Sequence, residues 1–108
     1  MVVLKRAKRI KEILEEKKSE DVLIFDLRGK DYFVDIVVIG TSLSDKHTLA
    51  LLDFLKKRLK SEGEEFLKVQ TSDDWVVIDL GDIIVHIMSE AYRKRYNIEE
   101  FLKEIRKS

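Results

Sequence analysis

Trp75-Val-Val-Ile-Asp-Leu80, then Gly81-Asp82, then Ile83-Ile-Val-His-Ile-Met88 is the stretch that decides how this chain folds. Two β-branched, apolar runs flank a Gly-Asp pair, the pattern of two antiparallel strands joined by a two-residue turn. In such a hairpin the numbers of opposed residues sum to 163, so Leu80 faces Ile83, Ile78 faces Val85 and Val76 faces Ile87. That face is wholly apolar and belongs on a core. The opposite face pairs Asp79 with Ile84, Val77 with His86 and Trp75 with Met88. Two readings of this mixed face are open. It is a surface for a partner, since Trp and Met are enriched at interfaces, or it lies under a covering helix with Trp75 as ordinary core.

N-terminal to the hairpin, Val3, Ala7, Ile10 and Leu14 recur at helical spacing and mark an amphipathic helix over residues 2–18. Val22–Leu27 and Ile36–Ile39 are short β-rich runs, separated by the turn Arg28-Gly29-Lys30-Asp31 and followed by Gly40-Thr41-Ser42. Ser44 is a natural N-cap for a helix carrying Leu51, Leu52, Leu55 and Leu59, which stops before Gly63. Phe66–Gln70 is a weaker strand, and the strand-helix-strand succession predicts a parallel pair joined by a right-handed crossover. C-terminal to the hairpin, Ser89 caps a short helix, and Asn97-x-x-Glu100 has the form of a capping box for a last helix with Ile98, Phe101, Leu102 and Ile105. The order α-β-β-α-β-β-β-α-α predicts one α/β (α+β) domain over residues 1–108, a mixed five-stranded sheet packed by helices.

Composition narrows the function classes. Charged residues reach 39%, against an ordinary 25% or so, but 21 basic and 21 acidic side chains cancel. A neutral chain has no global attraction for phosphate, which disfavours a general nucleic-acid coat. The ends are basic, +3 over residues 1–20 and +3 over 93–108, while residues 21–92 carry −6. Residues 69–92 contain Asp73, Asp74, Asp79, Asp82 and Glu90 and no Lys or Arg. An acidic stretch around the Trp-bearing face favours a basic partner. No cysteine is present, so disulfides, thiolate nucleophiles and zinc ribbons are excluded. No apolar run is long enough for a membrane span and no secretory leader opens the chain, so a soluble cytoplasmic protein is expected.

Catalytic readings are weak. Asp79, Asp82 and His86 could be drawn as a metal or acid–base cluster, but hairpin geometry offsets Asp79 from His86 and leaves Asp82 in the turn. Gly40-Thr41-Ser42 between a strand and a helix resembles the opening of a nucleotidyltransferase site, yet the paired carboxylates that would hold magnesium are missing. His47 has no identifiable nucleophile nearby and reads as a packing or hydrogen-bonding residue.

The run from Asp74 to Met88 resembles the signature of the Iojap family, the bacterial ribosomal silencing factors. The resemblance extends to Ser19–Val22, to Asp35–Ile39 followed by Thr41, Ser44, Lys46 and His47, and to Arg93 through Tyr96–Phe101. It departs at Thr41-Ser42-Leu43-Ser44, where the family has Thr-Gly-Thr-Ser, and at Leu102, where it has Trp. The resemblance implies a nucleotidyltransferase-like topology without the catalytic set, no enzyme activity and no cofactor. It also implies binding to the large ribosomal subunit through a ribosomal protein of the L-fourteen family, blocking the small subunit and repressing translation, and a homodimer as one state. On this reading Trp75, Ile84, His86 and Met88 give contact area, Asp79 and Glu90 give charge, and direct RNA contact is slight. The alternatives are a small nucleotidyltransferase-like enzyme, a ribosome-assembly factor and a nucleic-acid module using the two basic ends.

Overall fold

The hairpin register appears residue for residue in the computed structural model, which describes residues 2–107. Trp75–Asp79 pairs antiparallel with Ile83–Ser89 as Trp75↔Met88, Val76↔Ile87, Val77↔His86, Ile78↔Val85 and Asp79↔Ile84. Leu80 N–H donates to the Ile83 carbonyl at 2.9 Å, closing the two-residue turn. The elements run α1 (Val2–Glu16), β1 (Glu20–Asp26), β2 (Ile36–Ser42), α2 (Asp45–Ser61), β3 (Lys68–Thr71), β4 (Trp75–Asp79), β5 (Ile83–Ser89), α3 (Glu90–Tyr96) and α4 (Ile98–Lys107). They build one mixed five-stranded sheet in the order β1-β2-β5-β4-β3.

The pairing corrects one expectation. The parallel pair is β2 with β5, in register from Ile36↔Ile83 to Ser42↔Ser89. The strand that directly follows α2 is instead the far edge, antiparallel to β4. Lys68–Thr71 is short and mostly exposed, with only Val69 partly buried. It cannot compete with Ile83–Ser89, buried at five of its seven positions, for the place beside the fully buried β2. Turn chemistry fixes the hairpin beside β2 as well: the Asp82 carbonyl accepts N–H bonds from Asp35 at 3.0 Å and Ile36 at 3.2 Å.

The apolar hairpin face forms the main core. Val76, Ile78, Ile83, Val85 and Ile87 have no solvent exposure and pack with Ala7, Ile10, Ile13 and Leu14 of α1 and Leu51, Leu55 and Leu59 of α2. Each such aliphatic side chain contributes about 1.5–3 kcal/mol by leaving water. Gly40 lets β1 approach β2, because a Cβ there would stand 2.6 Å from Ser19 Oγ, which itself donates to the Thr41 carbonyl at 3.0 Å.

Both long helices end in the same hydrogen-bond pattern. After α2, Gly63 N–H donates to Lys60 and Glu64 N–H to Leu59, at 3.1 and 2.9 Å, with Gly63 at φ +89°. After α1, Lys18 N–H donates to Glu15 and Ser19 N–H to Leu14, at 3.1 and 3.0 Å, with Lys18 at φ +71°. This closing motif demands a left-handed residue, which glycine adopts freely and lysine does not. Asn97 likewise differs from its sequence reading. It is the left-handed C-cap of α3 at φ 44°, its N–H donating to Arg93, and so makes the α3–α4 corner rather than a capping box.

Gly63→Ala is expected to lower stability by about 1 kcal/mol, and Lys18→Gly to raise it by about 0.5–1 kcal/mol. Urea midpoints at unchanged slope check both.

Candidate docking face on the second side of the sheet

The side of the sheet away from α1 and α2 is covered on one half only. Rows of paired residues run across it: Phe25–Val37–Ile84–Asp79–Lys68, then Ile39–His86–Val77–Gln70. In the first row Phe25, Val37 and Ile84 are buried, Asp79 is half-buried and Lys68 is exposed. The gradient follows the helices. Leu102, Ile98 and Ile105 of α4 pack with Phe25, Val37 and Ile39 in a second core cluster. Among the described residues no helix comparably seals β4 and β3, where Trp75, Val77 and Asp79 are half-buried and Gln70 is exposed.

The six candidate residues therefore separate. Trp75, Asp79 and His86 lie on the half-open part, and Glu90 is exposed at the start of α3. Ile84 and Met88, 6% and 1% exposed, belong to the second core cluster, which corrects the expectation that they offer apolar contact area. The reason is the central position of β5, between β2 and β4 and directly before α3.

Aromatic rings extend the open part beyond what the hairpin pattern showed. Trp75 and Tyr92 have ring centroids 6.1 Å apart and Tyr92 and Tyr96 4.4 Å, with the Arg95 guanidinium 5.4 Å from the Tyr96 centroid. Tyr92 and Tyr96 stand at i, i+4 on α3, the spacing that stacks side chains on one helix face. Arg93, buried in the same helix, holds α3 in place. Its Nη1 donates to Thr41 Oγ1 at 2.6 Å and to the Asp21 carbonyl at 2.8 Å, and its Nε pairs with Glu99 of α4. Only its place in the family-like run Arg93–Phe101 marked it in the sequence.

Asp79, Asp82, Ser42 and His47 are engaged in contacts of their own. Asp79 Oδ1 accepts from Gly81 N–H at 2.8 Å, and Asp82 Oδ2 is held by Arg6 at 2.6 Å. Thr48 Oγ1 donates to the Ser44 carbonyl, so Ser42 Oγ, 2.5 Å away, donates to Thr48; the Ser42 hydroxyl is buried and committed. His47 Nδ1 accepts from Leu43 N–H at 2.9 Å, which leaves Nε2 to donate to the Lys17 carbonyl at 2.8 Å. His47 thus ties the start of α2 to the end of α1. Among the described residues no group of three or more His, Asp or Glu side chains is placed to hold a metal ion, and no helix is long and apolar enough to cross a membrane.

These features define a small α+β domain with a half-open sheet face. Comparison with known proteins places it more narrowly. Residues 3–108 match the family model described as ribosomal silencing factor during starvation, and the chain belongs to that family. It is 36% identical over 91 residues to the ribosomal silencing factor RsfS of Haemophilus influenzae, covering 82% of this chain and 89% of that one. It is 32% identical over 88 residues to RsfS of Bacillus subtilis, covering 80% and 75% respectively. The fold matches a crystal structure of a Chromobacterium violaceum protein with a TM-score of 0.88 at 28% identity, over 95% of this chain and 88% of that one.

Burial pushes the His86 imidazole down to about 4, so the ring is neutral in the folded protein near pH 7. In the unfolded chain it titrates near the ordinary 6.5. Between those values the unfolded state binds the proton and the folded state does not. Stability from this group is therefore complete above pH 6.5 and is lost as pH falls towards 4, by about 2 kcal/mol after allowance for partial solvent access. Denaturant titrations across that window are expected to show the loss in the wild type and a smaller one in His86→Gln.

Proposed function

We propose that this silencing factor works by occlusion: it binds a ribosomal protein of the L-fourteen family on the large subunit and blocks joining of the small subunit. No bond is made or broken, translation is repressed for as long as the factor stays bound, and the site of action is the cytoplasm. The observation that carries this reading is the half-open face of β4 and β5 in a member of the silencing-factor family. Trp75, Val77 and His86 present a partly apolar surface there. It is bordered by Asp73, Asp74, Asp79 and Glu90, with no basic residue from 69 to 92, and Lys68 and Arg95 stand at its outer edges.

Physical chemistry favours a basic protein on that face. Aromatic anchors with an acidic rim give apolar area at the centre and steering charge at the edge. Phosphate backbones are repelled by the same rim. A specific contact needs about 1,000 Å² of total buried surface or more, which the face can reach by including Tyr92, Tyr96 and the start of α3. Ile84 and Met88 act from beneath, as the packed floor that holds His86 and Trp75 in position. A neutral His86 loses no charge solvation when a partner covers it, which suits it to the centre of a contact.

Trp75→Ala removes the largest side chain of the open part and is expected to weaken large-subunit binding by about tenfold or more. Glu90→Lys is expected to weaken it less and to make the dependence on salt shallower, since exposed Glu90, whose ion pair is with Lys94 at 2.9 Å, would no longer attract a basic partner. Co-sedimentation with purified large subunits reads the binding, and re-formation of whole ribosomes from separated subunits reads the block. Wild-type co-sedimentation by folded Trp75→Ala would remove the ribbon as the docking face.

A further inference from the structure

The side of the sheet that carries α1 and α2 holds a row of lysines. On α2 the outward residues Lys46, Lys57 and Lys60, with half-buried Lys56, face only Asp53 among acids of the helix body and Asp45 at its start. Lys17 and Lys18 extend the stripe at the turn after α1, which the His47–Lys17 hydrogen bond draws against the first turn of α2. Among the described residues none of these six lysines is ion-paired with a carboxylate. The arginines of the same layer are spent internally: Arg6 on Glu64 and Asp82, Arg9 on Glu62, Arg58 on Glu16. A groove of about 400 Å³ separates the end of α1 from α2, lined by Lys17, His47, Asp53, Phe54 and Lys57. Lys17 Nζ stands 4.4 Å from the Phe54 ring centroid, so the ring supports the cation at the rim.

We propose that the outward face of α2, continued by the Lys17–Lys18 turn, is a contact surface for the phosphate backbone of structured RNA. Lys46 and Lys60 are fourteen residues apart on one helix, so the stripe is about 21 Å long, enough to follow several successive phosphates. Lysines without a carboxylate partner, Lys17 and Lys60 resting on the Phe54 and Phe66 rings, are point charges suited to a backbone and carry no base recognition. A lipid surface is the poorer fit. An interfacial helix needs a continuous apolar face open beside its lysines, whereas Leu51, Leu52, Leu55 and Leu59 of α2 are turned into the core and exposed Leu49 makes no continuous face. Identifying ribosomal RNA as the RNA met in the cell rests on the occlusion reading; the affinity for an RNA backbone does not. With the ribbon seated on a protein, the lysine face points the other way, so the factor would be gripped by protein on one side and RNA on the other.

The test uses the full chain and a fluorescently labelled RNA hairpin of about 16 base pairs, read by anisotropy across a salt series. Lys46→Gln/Lys57→Gln/Lys60→Gln is expected to lose about tenfold or more in affinity, with the slope of log affinity against log salt shallower by about 2–3. Lys5→Gln/Lys8→Gln/Lys11→Gln removes the same charge from the outer side of α1, where Glu12 and Glu15 alternate with the lysines, and is expected to stay within about threefold of wild type. Trp75→Ala is expected to keep full RNA affinity. Any of four results would overturn the proposal: no hairpin binding by wild type, an equal loss in the α1 variant, loss in Trp75→Ala, or tighter binding to phosphatidylserine vesicles than to the hairpin. Because naked RNA contains no ribosomal protein, failure here leaves the ribbon reading standing, and failure of Trp75→Ala to weaken subunit binding leaves this one standing.

Discussion

The parallel pairing of β2 with β5 is the constraint on which the rest of the molecule depends. It puts the second strand of the hairpin at the centre of the sheet and the first strand outside it. A centre strand in a sheet with helices on both sides is buried on both faces, and β5 is buried at five of seven positions while β4 alternates. One hairpin thereby supplies two different surfaces. Its first face is core throughout, and its second passes from sealed at Ile84 and Met88 to half-open at Trp75, Val77 and Asp79. Had β3 taken the place beside β2, as simple strand-helix-strand succession suggests, the hairpin would have stood outside it.

Charge is sorted as clearly as hydrophobicity. A net charge of zero hides the lysines of α2 on one side of the sheet and the acidic run 69–92 around Trp75 on the other, where α3 adds Lys94 and Arg95. Ion pairs take up Arg6, Arg9 and Arg58 of the α1–α2 layer. Arg6 binds Glu64 and Asp82 together and so ties α1 to the loop after α2 and to the hairpin turn; its guanidinium is held more firmly protonated by those carboxylates. Arg93 does the corresponding work on the other side, joining α3 to α4, β1 and β2 through one buried guanidinium. Arginine suits these positions because its planar fork reaches several acceptors at once, whereas lysine is a hydrated point charge. The lysines are left for the surface, which is why the basic character of the helical layer survives folding.

Much of the candidate site was legible residue by residue and not as a surface. Pairing Val77 with His86 and Trp75 with Met88 followed from a two-residue turn and a period of two, and the separation of Asp79, Asp82 and His86 followed from the same geometry. Exposure was not legible. An apolar residue on the second face reads the same whether a helix covers it or a partner does, and only the packing of Leu102, Ile98 and Ile105 beside Ile84 decides the matter. Tyr92 and Tyr96 were invisible as part of the face because α3 had to be folded back before they could line up with Trp75.

The amino-acid order by itself determined what depends on neighbours a few residues away: the hairpin and its register, the cap at Ser44, the stripes of α1 and α2, and the family-like run from Asp74 to Met88. These rest on local backbone preference and periodicity, which adjacent residues carry in full. Tertiary structure alone decided that β5 sits beside β2 and that Ile84 and Met88 face a helix. Those outcomes are settled by competition between distant segments for the same buried surface, and no local pattern encodes which segment wins.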